Sequence, residues 1–277
     1  MNVLKNKRLR ALGMTIFSIL FLGGVVILGL TLDKGNIVTH LEIRNAPPTL
    51  EHLFGTDWLG RDMFTRTMMG LTLSMGVGLL GAFCSTMIAA VLGMVAATMG
   101  KVADAVVSWS TDLFLSVPHL VMLLLISFSL GGGAKGIIAG TALTHWPSLA
   151  RIIRAEIMAI RSADYVQVSR RLGKPGWWIA MNHIFPHILP QLAVGFLLMF
   201  PHAILHEASV TFLGLGLSPH QPAIGIILSE SMKYLSSGLW WLAFFPGLCL
   251  LFAVRAFAAI GGNLRQFIRP SSAHDAR

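Results

Sequence analysis

The sequence predicts an all-α integral membrane protein with six membrane-crossing helices, and three observations predict it. The 277 residues are 55% hydrophobic and only 12% charged, about half the share of charge usual in soluble domains. The charged residues are gathered between long uncharged runs. Most of those runs approach or exceed the roughly 20 residues a helix needs to cross a hydrocarbon core of about 30 Å. An ordinary cytosolic enzyme and a disordered chain are both excluded. Cys84 and Cys249 each lie inside an apolar run, so they read as small packing residues and not as a disulfide or metal framework.

The first span lies between Arg10 and Asp33, 22 residues without a charge. Its basic flank (Lys5, Lys7, Arg8, Arg10) resembles the start of a signal peptide, but the apolar stretch is longer than the roughly 7–15 residues of a cleavable one. It reads as an uncleaved anchor. The second span has residues 74–97 as its core, inside the 34 uncharged residues from Thr67 to Gly100. Leu113 to Ala134 gives a third over 22 residues, and Gly136 to Ala150, though only 15 residues, extends into the Arg151 segment as a fourth. Pro190 to His206 opens a fifth, interrupted by Pro201 and Glu207. Tyr234 to Val254 is the sixth. The glycines Gly70, Gly76, Gly78, Gly81 and Gly93 read as points of close helix approach. The 14 methionines read as gap-filling.

Orientation follows from charge. With the N-terminus inside, the inner segments 1–10, 101–112, 151–190 and 255–277 hold fifteen Lys and Arg, against six in the outer loops 33–66, 131–135 and 215–238. That is the positive-inside pattern. The net charge of +9 is therefore a topology signal and not a nucleic-acid footprint. The division expected is an N-terminal anchor span and outer loop over 1–66, then a core of five spans over 67–277.

The inner loop 151–190 is long and basic. It carries Gln167-Val168-Ser169, then Gly173 four residues after Ser169, then Pro186 and Pro190. A helix, a turn that glycine permits and a second helix entering the membrane at prolines would form a short amphipathic element outside the bilayer. Such an element can dock into a groove on a partner; the plainer alternative is a solvated basic loop.

At these residues the sequence resembles a known family. Gln167-Val168-Ser169 to Gly173, with Ile184, Pro186 and Pro190 following, looks like the coupling loop of bacterial ATP-binding-cassette importer permeases, although the family's Glu-Ala-Ala is replaced. Phe54-Gly55-Thr56-Asp57-Trp58-Leu59-Gly60-Arg61-Asp62, with Phe64 and Arg66, is similar to the outer-loop signature of the dipeptide/oligopeptide/nickel permease family, in its second permease subunit. Trp146 to Arg151 with Arg154, and Glu207 to Gly216, resemble further motifs in the same order. Gly261 to Pro270 is similar to the tail motif, with Gly262, Gln266 and Arg269 where acidic residues are usual.

The resemblance implies a type I importer permease fold in a bacterial inner membrane, with both termini cytoplasmic. It implies a second, homologous permease subunit, two cytoplasmic ATP-binding subunits docked on the coupling loop through Gln167, Val168, Ser169, Gly173 and Pro186, and an extracytoplasmic substrate-binding protein. The chain itself has no phosphate-binding G-x-x-x-x-G-K-[ST] motif. It is thus expected to be no enzyme and to bind no cofactor, with ATP used by the partner subunits.

For cargo, His202, His206 and Glu207 are the candidate path. The two histidines stand at i and i+4, on one helix face, where they could hold a borderline divalent cation such as nickel transiently. An intramembrane carboxylate is costly and points to function. Equally, Glu207 could serve gating or packing, and the histidines could simply hydrogen-bond across helices. His145-Trp146 and the His202/His206 pair look like the nickel-uptake branch, so nickel or a nickel chelate is the expected cargo; dipeptides or oligopeptides are the alternative. His183 and His187 are expected to pack within the loop. A membrane enzyme would show convergent catalytic groups at one depth, and a secondary transporter inverted repeats; neither pattern is visible.

Overall fold

The computed structural model describes residues 7–268. Lys5 of the basic flank, Arg269 and Pro270 of the tail resemblance, and both chain ends assigned to the cytoplasm lie outside the described residues. The helices are α1 (Lys7–Thr31), α2 (Met63–Thr98), α3 (Lys101–Ser116), α4 (His119–Ser129), α5 (Gly133–Arg161), α6 (Asp164–Arg171), α7 (Gly176–Ile179), α8 (Phe185–Phe212), α9 (Ile224–Leu235) and α10 (Trp241–Ile268). Two short 3₁₀ turns, Lys34–Ile37 and Leu41–Ile43, lie in the first loop.

The bundle is organised around α2, which packs against α5, α8, α1 and α3. Small residues let it do so. A Cβ on Gly81 would stand 2.9 Å from the Thr141 side chain, and one on Gly93 2.9 Å from the Ala150 carbonyl oxygen, so α2 and α5 approach almost backbone to backbone. Gly70 and Gly78 are likewise crowded, whereas Gly76 faces open space and makes no such approach. One apolar core joins α1, α2, α8 and α10 around Phe200, Ile204, Leu71 and Met75. A second joins α2, α5, α6 and the start of α8 around Ile153, Ile157, Val166 and Ile188. Phe17, Leu20 and Leu30 of α1 are exposed, as expected of a helix that turns one side to lipid. Asn263 ties α10 to the start of α1, donating to the Ala11 carbonyl and to the Thr15 hydroxyl, each at 2.9 Å.

Four helices, at Leu9–Thr31, Met63–Thr98, Gly176–Phe212 and Trp241–Gln266, are long and apolar enough to cross a membrane among the described residues, or five if a bent pair forms one span. The expectation of six is therefore not matched helix for helix. The third expected span is broken: α3 ends at Ser116, and α4 leaves it at 98°. Pro118 causes the break, because it lacks an N–H and disfavours helical geometry at Val117. The fourth expected span is the middle of α5, a 29-residue helix that continues through Arg151, Arg154 and Arg161. The fifth is not interrupted, since α8 runs through Pro190 and Pro201; a proline keeps a helical φ and costs a hydrogen bond that neighbours in a bundle make good. The sixth starts later than expected, at Trp241, after a turn with Gly238 at φ +84. The loop before it contains α9, with Ile224, Ile226, Ile227 and Ser231 buried.

Candidate functional site

Three places bear on function: the elbow after α5, the loop before α2, and a cavity between α4, α5 and α8.

The elbow is built from the residues of the inner-loop motif. After Arg161 the chain turns into α6, whose Val166 is fully buried against Ile179 and Ile184. Gly173 sits at φ +76 with open space where a Cβ would be. It closes α6 by donating to Arg170 O at 3.1 Å, and Lys174 N donates to Ser169 O at 3.1 Å, a helix end that favours glycine. The Gln167 amide donates to Arg161 O at 2.9 Å, and Ser169 Oγ bonds His183 Nε2 at 2.9 Å. His183 also meets Tyr165 and Trp178, and His187 lies 3.6 Å from Glu156. Pro186 lies inside the continuous helix Gly176–Phe212, directly after a π turn at Ala180–Ile184, a local widening of the kind that accommodates a missing N–H. The exposed surface carries the apolar side chains Val168, Leu172, Trp177 and Met181, interleaved with exposed Arg170, Arg171 and Lys174.

The loop from Gly55 to Arg66 folds around Asp57. Its Oδ1 accepts from the backbone N–H groups of Leu59 and Arg61 at 2.9 and 3.0 Å; its Oδ2 accepts from Arg61 Nε at 2.7 Å and from Arg66 Nη1. Both arginines continue to Glu230 on α9, Arg66 Nη2 at 2.9 Å and Arg61 Nη2 at 3.3 Å. Asp62 caps α2 by accepting from Thr65 N at 2.8 Å. Gly60, at φ +74, passes so near the His40 carbonyl that a Cβ there would lie 1.8 Å from its oxygen. The signature residues thus hold the loop onto the bundle. Glu230, the anchor on the far side, was invisible in sequence because it lies 164 residues from Arg66.

The cavity has a volume of about 560 Å³ and is lined by His119, His145, His202, His206, Gln191 and Arg265 together with apolar side chains. His119 is the first residue of α4, placed by the Pro118 bend; His145 lies mid-α5 and His206 on α8. Their ring centroids are 4.2 Å (119–145), 4.6 Å (119–206) and 5.3 Å (145–206) apart. One ring nitrogen from each lies within 4.8 Å of the others. His145 Nδ1 is held by the Thr141 carbonyl at 3.1 Å and the Thr144 hydroxyl at 3.2 Å. Its Nε2 and the Nδ1 of His119 are buried without a hydrogen-bond partner.

The candidate path residues therefore separate. His206 joins the histidine group, and His202 lines the same cavity one turn away. Glu207 is fully buried outside the cavity lining and accepts from the Thr211 hydroxyl at 2.8 Å. His119 was missed; its only sequence signal is a histidine beside a proline inside an uncharged run.

The fold is thus a helical bundle with membrane-length apolar spans, a basic elbow closed by a glycine and a cavity lined in part by histidines. The chain belongs to the family described as "binding-protein-dependent transport system inner membrane component", whose pattern matches residues 89–270. It is 33% identical over 267 residues to a protein of Brucella suis biovar 1 named as a peptide transport system permease, covering 96% of this chain and 89% of that one. It is 31% identical over 268 residues to the dipeptide transport system permease protein of Bacillus subtilis (strain 168), covering 96% and 83%. A second Brucella suis protein, named as a peptide permease, is 36% identical over 229 residues, covering 82% and 75%. The chain is thus a membrane-spanning permease subunit of an ATP-driven, binding-protein-dependent importer, and not an enzyme.

Proposed function

We propose that this permease imports short peptides. One observation carries the reading: relatives that match nearly the whole chain, 96% of it in two cases, are named for peptide or dipeptide transport. The expectation of nickel gains nothing from those names. In this reading the chain pairs with a homologous permease in the inner membrane, both termini cytoplasmic. An extracytoplasmic binding protein delivers cargo, and two ATPase subunits grip the elbow. The apolar side chains Val168, Leu172, Trp177 and Met181 support that grip, being exposed where an apolar groove would cover them. Gln167, Ser169, Gly173 and Pro186 shape the elbow beneath them. The chain needs no cofactor, ATP being spent by the motor subunits.

Uptake of a radiolabelled dipeptide by cells expressing the complete transporter tests the cargo. Uptake above that of cells lacking this permease is expected, and equal uptake would refute it. For the elbow, Gly173→Pro removes the N–H that closes α6 and forces φ to about −65°. Transport is expected to fall to background while the assembled complex still hydrolyses ATP; wild-type transport and substrate-stimulated ATPase together would refute the docking role.

A second reading keeps the machine and takes nickel or a nickel chelate as cargo, favoured by His202 and His206 facing one cavity. Nickel uptake at limiting concentration should then fall in a His202→Ala plus His206→Ala variant; unchanged uptake would remove the idea.

A further inference from the structure

We infer that His119, His145 and His206 form a three-imidazole binding site for a borderline divalent transition-metal ion of the cobalt–nickel–zinc class. The inference goes beyond the peptide reading and does not rest on it, since a peptide permease can carry such a site in its cavity.

The three rings come from three different helices, and one ring nitrogen of each lies within 4.8 Å of the other two. A metal about 2.0–2.1 Å from each nitrogen in tetrahedral geometry sets the nitrogens about 3.3 Å apart. Small rotations of the rings close that gap. The rings already stand at 4.2 to 5.3 Å between centroids.

Protonation agrees with that geometry. A metal-bound histidine uses one ring nitrogen and donates the other N–H to a carbonyl or carboxylate, which fixes the tautomer. His145 shows this arrangement: Nδ1 faces the Thr141 carbonyl at 3.1 Å, which leaves Nε2 as the lone-pair nitrogen. That atom is buried and unpartnered, as is His119 Nδ1. Buried polar atoms without a partner are uncommon in folded proteins. Two of them on adjacent rings, each a good donor to a borderline metal, point to a shared ligand on this cavity wall.

The donor set fixes the chemistry further. Three neutral imidazoles without a carboxylate select against calcium and magnesium, which take oxygen ligands. With three protein ligands a fourth position stays open, as at exchangeable metal sites. The 560 Å³ cavity is lined by all three histidines, with Arg265 also on its lining. The site differs from the His202/His206 pair of the sequence: His206 is shared, and the remaining ligands come from α4 and α5.

The test uses the complete assembled transporter in detergent or nanodiscs, purified without a polyhistidine tag, with Co²⁺ as the probe. Wild type should bind Co²⁺ through this site and develop the visible absorption of a nitrogen-ligated ion. His119→Gln, His145→Gln or His206→Gln should each weaken binding at least tenfold. If a variant fails to assemble, wild type alone decides: bound Co²⁺ should protect His119, His145 and His206 from diethyl pyrocarbonate, read by mass spectrometry, and leave exposed His40 reactive. Absence of nitrogen-ligated Co²⁺ in wild type, unchanged binding in the three variants, or modification of the three histidines equally with and without Co²⁺ would each overturn the site. None of these results depends on dipeptide uptake, so the cargo reading and the metal site fail separately.

Discussion

At Asp57 every acceptor position is occupied: two backbone amides reach one carboxylate oxygen, two guanidinium groups the other, and both arginines continue to Glu230. At His145 one ring nitrogen is held and the other, buried, has no partner. Both are polar groups set into an apolar bundle, where a missing hydrogen bond is expensive. The difference teaches how to sort them. A saturated network has nothing left to offer a ligand, so its residues hold the loop to the bundle. A group of converging, unfilled lone pairs on a cavity wall is a place where something binds. The outer-loop motif around Asp57 belongs to the first kind, and the three histidines, brought together from three separate helices, belong to the second.

The comparison can be broken at its saturated end first. Asp57→Ala takes from Arg66, whose side chain is only 4% exposed, its buried partner and leaves it only the more exposed Glu230, so the cost approaches that of breaking a buried pair. Removing one member of such a pair costs about 3–5 kcal/mol. The variant should assemble poorly and lose more thermal stability than Gly60→Ala, Gly173→Ala or Arg151→Ala, as read by size exclusion of the heated complex. Gly60→Ala should come next. It forces a side chain at φ +74 into the His40 carbonyl, and backbone strain of that kind costs about 1–3 kcal/mol, seen as a lower midpoint in the same assay. Gly173→Ala also meets a positive φ but has open space around it, so about 1 kcal/mol is expected; stability should change little compared with Gly60→Ala. Arg151→Ala sharpens the scale from below. Its bridge to Asp112 joins side chains that are 57% and 71% exposed, worth no more than about 0.5 kcal/mol. A change beyond about 1 kcal/mol would show that exposed pairs in this protein follow other rules.

Much of the fold was legible because lipid writes a simple rule into sequence: long runs without charge. It placed α1 and α2 and the helix–glycine–helix elbow near where they stand. The rule fails where length is the only guide. Leu113 to Ala134 carries no charge, yet Pro118 breaks it. Residues 215–238 contain Lys233 and Glu230 and read as a loop, although Ile224, Ile227 and Leu228 at helical spacing carried the signal of α9. The cavity was half legible. His202 and His206 follow from i, i+4 spacing, whereas His119 reaches them only through the bend and the packing of α4 on α5, and no local pattern encodes that.

The loop around Asp57 and the elbow take their meaning from which side of the membrane each faces, so sidedness is the most direct test of the whole account. In a background with Cys84→Ala and Cys249→Ala, single cysteines replace Leu50 in the loop before α2 and Leu172 at the elbow, positions 97% and 73% exposed. A membrane-impermeant maleimide applied to right-side-out vesicles should label Leu50→Cys and leave Leu172→Cys untouched until the membrane is opened. Labelling of Leu172→Cys in sealed vesicles would put the elbow outside, beyond the reach of any cytoplasmic ATPase, and would contradict the account.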